Sequence, residues 1–320
     1  MGKWTRRFES PLLPLLGSIA GVLLFVYAVQ QVGVDDLADG IRRLGWGLVP
    51  VLVLGGLRFA LRAQCWRLCM PPRSRLPFPQ AFASFLAGDA VGNITPLGLA
   101  ASEPAKIFLT RRRLATREAI SSLAVDNLVY LASAMTVVAL GAILMLLTVP
   151  SMAAWRGVGI AALAAAIAGA LAAPRLLRGL WTPADGVRPA WRERLAALRE
   201  SVYKFSAANP AQLARVYGIH LGFHALAMVE IYLILYWIMG LAPTVPQAII
   251  FEALNRVLTV VFKFVPFRVG VDEAASAQLA LLLGISPVVA VVLAVVRKVR
   301  NLFWTAVGLG VIAAHRSRRS

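Results

Sequence analysis

Cysteine is almost missing: the 320 residues contain two, Cys65 and Cys69. Two thiols four apart on one helix face make no disulfide framework and read as small packing residues. Acidic side chains are also scarce. Fifteen Asp and Glu stand against 33 Lys and Arg, giving a formal charge of +18. No dinucleotide fingerprint, Walker loop or nucleophile elbow is present. His220 and His224 are four apart but lack the H-E-x-x-H arrangement of a zinc protease. No metal, no cofactor and no Ser/His/Asp or Cys/His catalytic constellation is therefore expected. No aromatic-plus-basic groove or zinc spacing directs the positive charge to nucleic acid.

What is present is apolar sequence. Hydrophobic residues make up 59% of the chain, and the mean hydropathy is +0.73. Apolar runs of about 20 residues recur from end to end, each long enough for about 30 Å of hydrocarbon. The cations cluster beside these runs, where they orient spans and meet anionic lipid. The expectation is an all-α polytopic membrane protein, one integral domain over residues 1–320, in a bacterial cytoplasmic membrane.

Spans are expected at about 12–32, 46–70, 118–150, 155–177, 210–239 and 287–314. The basic N-terminus followed by a long apolar stretch without an A-x-A site reads as a retained first span. The stretch 33–45, with Asp35, Asp36 and Asp39 against Arg42 and Arg43, reads as an external loop. A cytoplasmic amphipathic connection covers about 178–209, where Trp191, Leu195, Leu198, Val202 and Phe205 fall at helical spacing on what reads as an interfacial helix.

Two apolar segments are broken. One breaks at Gly92 to Gly98 around Pro96, the other at Val265 to Gly270 around Pro266. A single crossing of the first would carry Arg111, Arg112 and Arg113 outside, against the positive-inside rule. Two re-entrant helical hairpins, entered from opposite sides, keep both termini cytoplasmic. In each, the proline precedes a glutamate by seven residues: Pro96 and Glu103, Pro266 and Glu273. The repeat-like halves are about 80–148 and 246–314. Six spans with two opposed hairpins thus form an inverted repeat, a plan that places transporter sites near the midplane.

Ionisable residues inside a membrane are costly and mark function. Arg58 and Arg62 share a stripe, as do Arg297 and Arg300. The acids in apolar surroundings are Asp89, Glu103, Asp126, Glu230, Glu252, Asp272 and Glu273. Mutual pairing explains part of this set, yet bases outnumber acids, and guanidinium forks suit phosphate. The candidate substrate-binding residues are Arg58, Arg62, Asn93, Pro96, Glu103, Lys106, Asp126, Arg268, Glu273, Arg297 and Arg300. Arg297 lies roughly 13 Å into its span at 1.5 Å per residue. Asp126, which matches it in the repeat, Glu103 and Glu273 are its candidate partners.

Asn93-Ile94-Thr95-Pro96 followed by Gly98 to Lys106, and Val265 to Glu273 followed by Gly284 and Arg297, resemble the two halves of the lysylphosphatidylglycerol synthase transmembrane, or flippase-like, family. The resemblance spans about residues 12–314. Departures are Ser102 in place of a glycine, Asp126-Asn127 in place of a Glu-Arg pair, and Phe267-Arg268 in place of a glycine-rich run. The resemblance implies a stand-alone membrane module, similar also to a hopanoid-associated branch. It implies a flippase or transporter without enzyme activity, partnered by a membrane lipid: an anionic phospholipid, a polyprenyl phosphate or a hopanoid-type lipid. The alternatives are a membrane subunit of a lipid-modifying enzyme and a scaffold for lipid synthesis.

The topology makes a direct prediction. Single cysteines replacing Asp36 and Arg188 should react with an impermeant thiol reagent from opposite sides of the membrane. Reaction of both from one side contradicts it.

Overall fold

The computed structural model describes residues 34–95, 98–151, 210–262 and 265–317, with positions 30 and 157. The expected spans at 12–32 and 155–177, the Trp191 to Phe205 helix, Pro96 and Lys263 lie outside the described residues. Every regular element among the described residues is helical.

The elements are α1 (Val34–Leu44), α2 (Leu48–Leu68), α3 (Phe78–Ile94), α4 (Leu99–Thr110), α5 (Thr116–Thr148), α6 (Pro210–Met239), α7 (Val245–Val261), α8 (Val271–Leu282) and α9 (Pro287–Ser317). Helix boundaries follow local chemistry. Pro71 and Pro72 follow α2, and the prolines open α6 and α9 at the position where no N–H is needed. Thr244 and Gln247 form a capping box at α7.

The stretch 33–45 is not a loop, as its charge content implied. It forms α1, whose Gly40 lies against Val292 of α9 and whose Leu44 is buried with Ile231, Ile234 and Leu293. Asp35, Asp39, Arg42 and Arg43 are exposed, and Arg42 pairs with Asp39 at 3.1 Å. Polarity alone had concealed one apolar side of a short amphipathic helix.

Among the described residues, three stretches are long and apolar enough to cross a membrane: Ala38–Leu68, Thr116–Thr148 and Pro210–Met239. α9 has 31 residues, but Arg297, Lys298 and Arg300 interrupt its apolar centre. Large apolar side chains point outward along the long helices, among them Val53, Leu128, Leu147 and Leu302. This outward apolar surface belongs to a protein solvated by lipid.

The contacts set the directions. On α2 and α6, Cys65 meets Val216 and Arg58 meets Glu230, so they run antiparallel. On α5 and α6, Asp126 meets His220 and Ser133 meets His224, so they run parallel. α3 and α4 fold back on each other as a helical hairpin, with Gly88 against Lys106 and Gly92 against Ser102. α7 and α8 do the same: Gln247 bonds the Leu283 carbonyl at the base, and Leu258 packs with Val271 near the tip. The hairpins approach α9 from opposite ends. The tip of the first reaches Thr305 through Asn93, and that of the second reaches Lys298 through the Arg268 carbonyl.

The two halves are built alike. α3, α4 and α5 have 17, 12 and 33 residues; α7, α8 and α9 have 17, 12 and 31. α3 packs on α9 and α7 on α5, so each half lays its first helix on the other's long one. Both contacts need glycine. A Cβ on Gly308 would stand 2.6 Å from the Leu86 carbonyl oxygen, and one on Gly141 would collide with Ala253. In lipid, apolar burial gains little between helices, and close backbone approach through small residues holds them instead.

Gly308→Val should therefore destabilise the protein by about 1–3 kcal/mol through overpacking. Gly310, with nothing within 4 Å of an added Cβ, is the control. Thermal unfolding in detergent that separates neither variant from wild type would disprove this packing.

Candidate functional site

The long helices and the second hairpin bring their charges to one buried centre. α2 supplies Arg58 and Arg62 one turn apart. α5 supplies Asp126 and Tyr130, α6 supplies His220, His224 and Glu230, α7 supplies Glu252 and Arg256, and α9 supplies Arg297 and Arg300.

Three carboxylates organise it. Glu230, fully buried, lies between two guanidiniums: Arg58 at 3.1 Å and Arg300 in closer contact. Asp126 pairs with Arg62 at 3.3 Å and with His220 Nε2 at 3.1 Å. Arg62 also reaches His220 Nδ1 at 3.4 Å. Arginine only donates, so Nδ1 accepts and Nε2 carries the proton given to Asp126. Glu252 takes Arg256 at 2.9 Å, Arg297 at 3.5 Å, His224 at 3.4 Å and Asn255 at 3.3 Å. Arg256 continues to the Tyr130 hydroxyl at 2.7 Å.

Aromatic faces line the guanidiniums. Arg58 sits 4.5 Å from the Phe223 centroid and Arg62 4.3 Å from that of Tyr130. Lys106 Nζ lies 4.1 Å over Phe85, which Arg62 approaches from its own side at 5.3 Å. Cation–π contact of this kind strengthens when desolvated.

Five of the residues expected at the site lie in this centre, and Arg297 has a different partner from those anticipated. Arg58, Arg62, Asp126, Arg297 and Arg300 belong to it. Arg297 pairs with none of Asp126, Glu103 and Glu273; its carboxylate is Glu252, because α7 lies along α5 and presents Glu252 there. Asn93 sits at the first hairpin tip and bonds Asp89 and Thr305. Glu103 and Lys106 pair with each other at 3.0 Å. At the second tip, Arg268 pairs with Asp272 at 3.1 Å and bonds Asn255 and Thr259. Glu273 accepts the Gly270 N–H at 2.8 Å and the Lys298 ammonium at 2.7 Å. It is a cap, fastening α8 to α9.

Six central residues were absent from the site candidates: Tyr130, His220, His224, Glu230, Glu252 and Arg256. The signal was in α6, where His220, His224 and Glu230 interrupt an apolar span. The two histidines do not share a ligand, since each faces a different carboxylate. Cys65, Asp126 and His220 present donor atoms within 4.8 Å of one another, but Arg62 already neutralises Asp126, and the Cys65 thiol donates to the Val216 carbonyl.

A helical bundle lined outside by apolar side chains and inside by a guanidinium–carboxylate network is an integral, multi-pass membrane protein. The chain belongs to the lysylphosphatidylglycerol synthase transmembrane-region family, whose model matches residues 14–310. No curated protein and no solved structure matches it. Its family makes it a membrane protein of lipid metabolism or transport.

Glu230→Gln removes the carboxylate between two guanidiniums and should cost about 3–5 kcal/mol of stability, as for other broken buried pairs. Adding Arg58→Met should recover part of that loss. An unchanged melting temperature in Glu230→Gln would show that Glu230 does not hold the two arginines.

Proposed function

We propose that this protein binds an amphipathic lipid with an anionic head group and moves it across a bacterial cytoplasmic membrane. One observation carries the reading: among the described residues, Arg58, Arg62, Arg256, Arg297 and Arg300 pair with Asp126, Glu230 and Glu252 alone, five positive charges against three. Outside that centre, Lys106, Arg268 and Lys298 pair with Glu103, Asp272 and Glu273, and Asp89 of α3 has an amide partner, Asn93. A surplus of guanidinium in a low-dielectric centre calls for an anion, and the planar fork matches a phosphate.

The architecture supports movement rather than static binding. The two hairpins would be re-entrant, meeting α9 seven residues apart at Lys298 and Thr305, about 10 Å along a helix. Parallel α5 and α6 call for an odd number of crossings between them, which the span expected at 155–177 would supply. Six spans, opposed hairpins and cytoplasmic termini follow as one inverted repeat.

A second reading has one specific support. Ser133 Oγ lies 3.3 Å from His224 Nε2, and His224 Nδ1 lies 3.4 Å from Glu252. That is the order of a nucleophile, base and orienting acid, as a lipid-modifying enzyme needs. It is the weaker reading, because the Ser133 hydroxyl is fully buried and donates to the Tyr130 carbonyl at 2.7 Å.

Arg297 separates binding from structure. Its pairing with Glu252 is a single long one, and its side chain is 14% exposed. Arg297→Lys keeps the charge but removes the fork, and should lose most lipid translocation in proteoliposomes while melting near wild type. Full translocation by a well-folded Arg297→Ala variant would remove Arg297 from the site.

A further inference from the structure

Among the described residues, the intramembrane acids divide six to one. Glu103, Asp126, Glu230, Glu252, Asp272 and Glu273 each have a cationic nitrogen within 4.0 Å. Asp89 has none. Its carboxylate accepts one hydrogen bond, from Asn93 Nδ2 at 3.0 Å, and the same amide group reaches Thr305 Oγ1 of α9 at 3.1 Å.

Asp89 stands within the last turn and a half of α3, which ends at Ile94. The cations on the elements packed against α3 already have carboxylates of their own. Lys106 of α4 is on Glu103, and Arg58 and Arg62 of α2 are on Glu230 and Asp126. Arg297, Lys298 and Arg300 of α9 are on Glu252, Glu273 and Glu230, and Arg268 of the Pro266–Arg268 turn is on Asp272. Among the described residues, no group of three or more His, Cys, Asp or Glu side chains gathers at Asp89. Asp89 is half-buried rather than sealed, so a proton can enter and leave.

We propose that Asp89 is a proton-binding site through which lipid movement is coupled to proton movement; the coupling rests on the transport reading above. With the proton bound, the tip of the first hairpin is neutral and rests on Thr305. On release the carboxyl O–H bond breaks, the proton passes to water and the electron pair stays on Asp89. The new carboxylate then competes with Glu103 for Lys106. That exchange is local, because the Lys106 chain fills the space over Gly88, the residue beside Asp89. Repartnering shifts α4 against α3, and the hairpin tip with it.

Infrared difference spectroscopy on the full chain in liposomes reads the proton directly. At neutral pH a protonated-carboxyl band is expected, absent from Asp89→Asn and restored in Asp89→Glu. In parallel, translocation of fluorescent phosphatidylglycerol is followed under an imposed pH gradient. Wild type should respond by about tenfold, an ordinary coupling between two sites, and Asp89→Asn should lose the response. A band that persists in Asp89→Asn, or no band at all, overturns the proton site. An unchanged gradient response in Asp89→Asn overturns the coupling. A normal band in a wild-type protein that moves no lipid sinks the transport reading and leaves the proton site standing.

Discussion

The cost of a guanidinium in hydrocarbon governs this protein. A single arginine at the centre of a membrane helix costs a few kcal/mol or more, and five converge here. Each must find a carboxylate: Glu230 and Glu252 each hold two guanidiniums, and Asp126 holds Arg62 beside the neutral His220. The carboxylates come from three different helices, so the network ties α2, α5, α6, α7 and α9 to one another at their middles. Among the described residues neutralisation is incomplete by two charges, and the proposed anionic head group would complete it.

Bringing those helices together demands close approach, because lipid does not squeeze apolar helices into contact. Gly141 and Gly308 let the first helix of each half lie on the long helix of the other. The hairpin breaks end α3 and α7 where they meet α9, so their tips bring polar groups to its charged centre. Positive backbone φ angles at Gly98, Phe267, Arg268 and Gly270 mark both turns. Phe267 and Arg268 are unusual carriers of that conformation; the bonds from Arg268 to Asp272, Asn255 and Thr259 hold the second tip in it.

Much of this was legible in the residues. Proline and glycine marked the helix ends and both breaks. The arginine stripes on α2 and α9 were visible from helical spacing. Partner choice was not. Arg297 and Asp126 match in the repeat, yet matching positions of an inverted repeat need not touch, and Arg297 found Glu252 through the packing of α7 on α5. Glu230 sits ten residues beyond His220 and looks away from it, toward α2 and α9. Only the arrangement of three helices shows that it bridges Arg58 and Arg300. α1 escaped notice because its charges share one face.

The central claim is that the unneutralised arginines hold an anionic head group. Native mass spectrometry of the protein released from membranes tests it most directly. The account predicts a retained lipid with a phosphate-bearing anionic head on the wild type, lost from Arg297→Ala and Arg58→Ala. Wild-type protein carrying no lipid, or only neutral and zwitterionic lipids that both variants retain equally, would contradict it.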